Sequence, residues 1–395
     1  MIYLDNGATT FPKPEVVYEA MDRFARTGAV NAGRGAYASA RAAGAMINNV
    51  KNMLTSLFDA REQAQVVLTP SVTIALNQII CGLDWNRESV AYVSPYEHNA
   101  VLRPLELLRR KIGFKVVELP LRNDLSIDLE KTEELFAAEH PSFVAVTAVS
   151  NVTGYILPER EIFRLSRKYK AFNLLDASQA AGLIRLPFAY TMADAIAFAG
   201  HKTLYGPFGV AGFLIKNHAK LNVLLAGGTG TNSESLDMPK SLPGSMECGS
   251  KDTVAISGLE AALKWLPSIS ALEHERKLTS HFVEEAEKIP GVELYKAPGG
   301  MENQAGVISF GVEGFKAIEV AAILDAKYDI AVRAGHHCAA FIHKHLGSAK
   351  YAGTVRVSPG YFNTLEDIDV LLDALRNLDR SQLEGVADDV LRGAC

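Results

Sequence analysis

The sequence predicts an α/β protein: a large domain with a mostly parallel central sheet covered by helices, followed by a smaller α+β domain. Three observations lead there. At 395 residues the chain exceeds what one hydrophobic core usually supports. Its composition, 48% hydrophobic and 22% charged, is that of a globular protein able to bury a large core. Short apolar, β-rich runs also alternate with segments of helical periodicity, as in parallel sheets with helices on both faces.

The opening Met1-Ile2-Tyr3-Leu4-Asp5 lacks the basic and apolar regions of a secretory signal. No apolar run reaches bilayer-spanning length, so the expected compartment is the cytoplasm. Pro12-Lys13-Pro14 is a natural crossing point between domains. Strand-like runs follow at 65–69, 90–94, 115–119, 143–149, 173–176, 195–199 and 210–215. Helix-like stretches at 73–81, 102–111, 129–139 and 159–169 lie between them. After about residue 260 long helical patterns over 258–266 and 272–289 lead into shorter strands near 306–311 and 353–358. The last helix opens at Asn363-Thr364, with Thr364 as its cap and Asp367 in its first turn. Ile368, Leu371, Leu372 and Leu375 then keep helical spacing. The expected division is a large domain over 14–263 and a small domain over 264–395 that includes 1–13.

Charge and cysteine content narrow the function. Net charge is −5, and the 40 Lys and Arg are scattered without the basic stripe of a nucleic-acid surface. Cys81, Cys248, Cys338 and Cys395 form no CxxC pair, which argues against a disulfide framework. Cys81 reads as core and Cys395 as an exposed thiol at the chain end.

In a parallel sheet, ligands bind beyond the carboxyl ends of the strands, so the residues after each run carry the chemistry. The run 173–176 ends on Asp176, a carboxylate that burial makes costly unless a cation or hydrogen bonds pair with it. A protonated pyridine nitrogen would be such a partner. Read alone, Asp176 is equally a structural aspartate capping a helix. The run 195–199 leads to Gly200-His201-Lys202 and a Gly/Pro-rich turn, where desolvation would lower the lysine's pKa and favour Schiff-base chemistry. Read alone, Lys202 is a solvated loop lysine; the two at neighbouring strand ends are much stronger together. His98 follows 90–94, where its ring would stack on a pyridine face. Asn151 follows 143–149, within reach of a phenolic oxygen. Thr69-Pro70-Ser71-Val72-Thr73 opens a helix whose N–H groups suit a phosphate. Each has an ordinary structural reading, and their agreement on one site outweighs it.

The chain resembles the class V aminotransferases of fold type I, and within them the cysteine desulfurases. The resemblance extends almost end to end. It rests on Tyr3-Leu4-Asp5-Asn6-Gly7-Ala8-Thr9-Thr10, Glu97-His98-Asn99, Ser150-Asn151-Val152-Thr153-Gly154, Asp176-Ala177-Ser178-Gln179 and Gly200-His201-Lys202. It continues through Arg333-Ala334-Gly335-His336-His337-Cys338-Ala339 and Gly353-Thr354-Val355-Arg356-Val357-Ser358. The resemblance implies pyridoxal 5'-phosphate held by Lys202, with Asp176 on the pyridine nitrogen and His98 on the ring. Gln179 and Asn151 would contact the phenolic oxygen, and Thr73 and His201 the phosphate. Arg356 would clamp the substrate carboxylate with Asn31 nearby, and Cys338 would accept sulfur from L-cysteine. A homodimer is implied in which Ser250 reaches the other subunit's phosphate, as is a sulfur acceptor. Ala199 stands where the family commonly carries a phosphate-binding hydroxyl, Ser250 replaces a threonine, and the proline often found after the cysteine is missing. Arg333, His336 or His337 would favour a Cys338 thiolate if they face it and carry charge.

Three other readings stay open at this point. His336, His337, Cys338, His343 and His345 are dense enough for zinc. A sulfur-relay scaffold without catalysis would keep the fold, although the intact Asp176, Lys202, Arg356 and Cys338 set argues against it. Selenocysteine lyase, or another β-elimination on the same cofactor, shares these motifs.

Overall fold

The computed structural model describes residues 1–32, 35, 37–230, 234–384 and 386. Cys395 lies outside them. Strand β1 (Ile2–Tyr3) opens the chain. Seven strands then share one sheet: β2 (Ala64–Thr69), β3 (Val90–Val93), β4 (Lys115–Glu118), β5 (Phe143–Thr147), β6 (Phe172–Asp176), β7 (Ala195–Ala199) and β8 (Ala211–Lys216). Their order is β2-β8-β7-β6-β5-β3-β4. The pairs β3–β4, β3–β5, β5–β6 and β6–β7 are parallel, whereas β8 is antiparallel to both β2 and β7. The sheet is thus mostly parallel, as expected, with one reversed strand. The connection over 200–210 carries no helix and returns the chain beside β7 in the opposite sense.

Helices cover both faces: α1 (Glu15–Thr27), α2 (Ala38–Leu57), α3 (Val72–Gly82), α4 (Asn99–Ile112), α5 (Leu129–Ala138), α6 (Glu159–Ser166), α7 (Phe188–Thr191) and α8 (Thr253–Trp265). Alternate strand residues point to opposite sides. Val66, Val144, Leu175 and Phe198 pack with Leu54 of α2, Phe163 of α6 and Leu259 of α8. Val67, Ala145, Leu174 and Phe213 pack with Ile79 of α3 and Leu105 of α4. The sequence pattern did not anticipate α1 and α2. Cys81, expected in the core, is only half-buried near the end of α3.

The remaining elements are α9 (Ala271–Ala286), β9 (Val292–Tyr295), β10 (Ile308–Val312), α10 (Ala317–Tyr328), β11 (Ile330–Ala331), β12 (Arg333–Gly335), α11 (Ile342–Leu346), β13 (Thr354–Val357) and α12 (Leu365–Arg376). Strands β12-β13-β10-β9 form an antiparallel sheet. It packs on α9, α10 and α12 around Phe282, Phe310, Leu324, Val355 and Leu371. Thr364 caps α12, and the Asp367 carboxylate accepts from the Thr364 N–H in return. Strand β1 pairs in parallel with β11, and Leu4 lies in this second core.

Candidate functional site

Strands β6 and β7 are neighbours, with Asp176 opposite Ala197, so Asp176 and the segment carrying Lys202 leave the sheet side by side. Asp176 is buried, and its Oδ1 accepts from the backbone N–H (2.9 Å) and hydroxyl (2.5 Å) of Ser178. Desolvation lowers the Lys202 amine to about 8; Asp176 works against that shift, and Arg356 and Arg333 add to it. An amine in this range has a substantial neutral fraction near physiological pH, which nucleophilic attack on a carbonyl requires.

One strand further on, His98 caps α4, its Nδ1 accepting from the Ala100 N–H at 3.0 Å. That bond leaves the proton of the neutral ring on Nε2. Desolvation, followed by the charges of Lys202, Arg333 and Arg356, lowers the imidazole to about 3 and keeps it neutral. Glu97 beside it was not singled out from sequence. Its Oε1 accepts from Ser94 Oγ (2.5 Å) and Thr147 N (2.6 Å), and burial raises the carboxyl to about 8. It is a neutral acid at pH 7, which only its packing reveals.

The antiparallel sheet delivers the other half of the site. Arg356 on β13 is 2% exposed, with Nη2 donating to Asp5 Oδ1 at 2.5 Å and Nη1 to the Asn151 carbonyl at 3.1 Å. Arg333 sits directly opposite it on β12. Beyond β12, His337 (φ 49°) and Cys338 (φ 56°) are both left-handed. This conformation costs a non-glycine residue roughly 1–2 kcal/mol and recurs at functional sites. Two bonds hold it: Asn99 N–H donates to the Cys338 carbonyl at 2.6 Å, and Asn151 Nδ2 to the His337 carbonyl at 2.7 Å. The first of these joins the loop to the end of β3, the second to the end of β5. His337 is buried, its Nε2 against Thr354, and desolvation drives it well below 6.5. A neutral imidazole supplies no charge to a thiolate, so that expectation fails for His337, and Arg333 is the cation that remains on the adjoining strand. His336 is exposed and packs edge-on against the His343 ring. Among the described residues no group of three or more His, Cys, Asp or Glu could hold a metal ion.

The expected phosphate residues are more dispersed. Thr73 is exposed in the first turn of α3, which Ser71 caps. His201 stacks on Phe208 at 4.5 Å, and its buried Nδ1 has no partner among the described residues. Its carbonyl accepts from Thr10 N and from Lys13 Nζ (2.8 Å), a lysine that desolvation lowers to about 7 and that sequence reasoning passed over. Gln179 Nε2 donates to the Gly7 carbonyl at 2.7 Å. Asn31 and Ser250 meet each other at 3.5 Å beside a cavity of about 240 Å³. Among the described residues no hydrogen bond joins either to Lys202, Asp176 or Arg356.

Comparison with known proteins covers the whole arrangement. The profile of the family "Aminotransferase class-V" matches residues 2–371. A cysteine desulfurase of Escherichia coli (strain SE11) is 30% identical, covering 96% of this chain and 94% of its own. A probable cysteine desulfurase of Pyrococcus abyssi is 31% identical over 96% of this chain and 95% of its own. An apo structure of a cysteine desulfurase from Thermococcus onnurineus superposes with a TM-score of 0.88 at 29% identity, covering 96% of this chain and 95% of that one.

Proposed function

The chain belongs to the class-V aminotransferase family, and from that premise we propose that it is a pyridoxal-phosphate-dependent cysteine desulfurase. It moves the sulfur of L-cysteine onto Cys338 and releases L-alanine. The observation that carries this reading is the docking of the Cys338 loop on Asn99 and Asn151, beside the strand ends that present Asp176 and Lys202. A thiol, a buried amine, a carboxylate and a guanidinium thereby share one cleft.

The side chains suit the cofactor. Lys202 would hold it covalently, Asp176 would pair with its pyridine nitrogen, and the neutral His98 ring would lie against its face. His201 Nδ1, a buried nitrogen with no partner among the described residues, suits a phosphate oxygen, as do Thr73 at the start of α3 and Ser250 of the partner subunit in a homodimer. Gln179 and Asn151 each keep a second amide N–H for the phenolic oxygen. When bound, pyridoxal phosphate supplies an electron sink that acidifies the substrate's α-proton and weakens its bond to sulfur.

The chain's own residues perform the rest. Arg356 binds the substrate carboxylate, with Asn31 assigned to the same substrate. Lys202 Nζ, neutral near its lowered pKa, takes the α-proton. Cys338 Sγ attacks the substrate sulfur as its bond to carbon breaks, so one cysteine and one thiol become one alanine and one persulfide. The persulfide then passes to a sulfur-acceptor protein or a small thiol. Among the described residues no helix is long and apolar enough to cross a membrane, and we assign the enzyme to the cytoplasm. We divide it into domains at 263/264, with 1–13 in the second.

Cys338→Ala tests this reading. The variant should bind the cofactor with normal visible absorbance, form no persulfide and release no alanine from L-cysteine. Full cysteine turnover by this variant would refute the sulfur transfer. Parallel assays with selenocysteine and cystine define the substrate class.

A further inference from the structure

The Arg356 guanidinium is oriented by the protein itself. Nη2 is committed to Asp5, Nη1 to the Asn151 carbonyl, and the buried Nε has no partner among the described residues. Gly7 lies against the group: a Cβ there would sit 3.2 Å from Cζ. Asp5 is tied down in turn, its carbonyl accepting from Tyr3 Oη at 3.1 Å and its backbone bridging Ser358. A guanidinium has five N–H donors in a planar fork, and a carboxylate takes two of them. With one arm given to Asp5, the donors beside Nε accommodate one further carboxylate.

We infer that Asp5 is a positioning and specificity-determining residue: an internal carboxylate that sets the plane of Arg356, fills one arm of its fork and limits the site to amino acids with a single acid group. This rests on the assignment of Arg356 to the substrate carboxylate. Asp5 also lies within electrostatic reach of the Lys202 amine, so a side-chain acid group entering the cleft meets its charge. L-Cysteine, with one carboxylate and a neutral thiol, meets no such opposition; L-aspartate does.

Three variants of the full-length holoenzyme test the inference. Asp5→Ala removes both the acceptor and the charge. Its KM for L-cysteine should rise roughly ten- to a hundredfold, the range for losing a hydrogen bond to a charged group, with a smaller change in kcat. Sodium acetate should restore part of the loss by supplying a carboxylate to Nη2. Asp5→Asn keeps an oxygen acceptor and removes the charge. It should raise KM less than Asp5→Ala, yet bind L-aspartate about tenfold more tightly than the parent in calorimetry. That measurement also decides the matter if Asp5→Ala does not fold. Arg356→Lys separates the two layers of the argument. If it leaves the KM for L-cysteine unchanged, the assignment of Arg356 fails and the inference with it. If it raises KM while neither Asp5 variant alters KM or aspartate affinity, Arg356 keeps its role and the inference about Asp5 is overturned.

Discussion

Lys202 and Cys338 owe their chemistry to opposite circumstances, one to burial and the other to backbone conformation. For Lys202 the dominant influence is desolvation, opposed by Asp176. The rate at which the cofactor-free protein recaptures pyridoxal phosphate should therefore rise with a midpoint near pH 8, where the amine loses its proton. Asp176→Asn should move that midpoint lower, because the carboxylate favours the charged form. A midpoint near 10.5 in the parent would contradict the account. Cys338 is held at positive φ, so Cys338→Gly should be more stable than Cys338→Ala by about 1 kcal/mol in denaturant unfolding. Equal stability of the two would mean that the left-handed turn is unstrained. Lys202, Asp176, His98 and Asn151 were legible in the sequence because each follows a recognisable apolar run. Asp5, Lys13 and Glu97 were not assigned roles, because what defines them is contact with residues far away in the chain. Glu97 becomes a neutral acid only when Thr147, fifty positions later, closes over it.

At the level of elements, periodicity located all seven strands of the large sheet and the helices between them to within a few residues. It did not reveal that β8 runs backwards, since strand direction depends on the path of the connection. Helix α1 went unread although Pro14 precedes it, Glu15 lies in its first turn and Arg26 in its last. Those cues were present and would have sufficed. The turn between α11 and β13 illustrates what spacing cannot show. Gly353 has φ 117°, and a Cβ there would stand 2.6 Å from the backbone of Gly335, the residue leading into His336-His337-Cys338. Gly353→Ala should therefore cost roughly 2–3 kcal/mol of stability, as overpacking and backbone strain add. It should depress persulfide formation far more than cofactor binding, because the displaced strand carries the thiol and not the lysine. Comparable loss of both activities would show that the effect is global.

For the whole molecule, buried groups of both kinds make stability depend on pH in two opposing ways. His98 and His201 have folded pKa values of about 3, below the usual 6.5. Their contribution is complete above pH 6.5 and is lost as pH falls towards 3, where the unfolded chain binds protons that the folded one refuses. Glu97 and Glu275 are raised to about 8 by desolvation. Their contribution is complete below pH 4.5 and is lost as pH rises through 8. Thermal unfolding at constant ionic strength should show its highest midpoint at roughly pH 5–7, between these limbs. The Glu97→Gln, Glu275→Gln double variant should flatten the alkaline side. A midpoint climbing steadily from pH 6 to 9 in the parent would rule this out.

The pairing of Asp5 with Arg356 joins positions 351 apart, so the amino-acid grip is assembled from near both extremities of the polypeptide, whereas the cofactor's lysine comes from the middle. Trimming from either extremity should thus disable the enzyme in a characteristic order. Nicked or prematurely terminated copies that still fold would remain yellow while no longer grasping cysteine, so colour would overstate the amount of working catalyst in an ageing preparation.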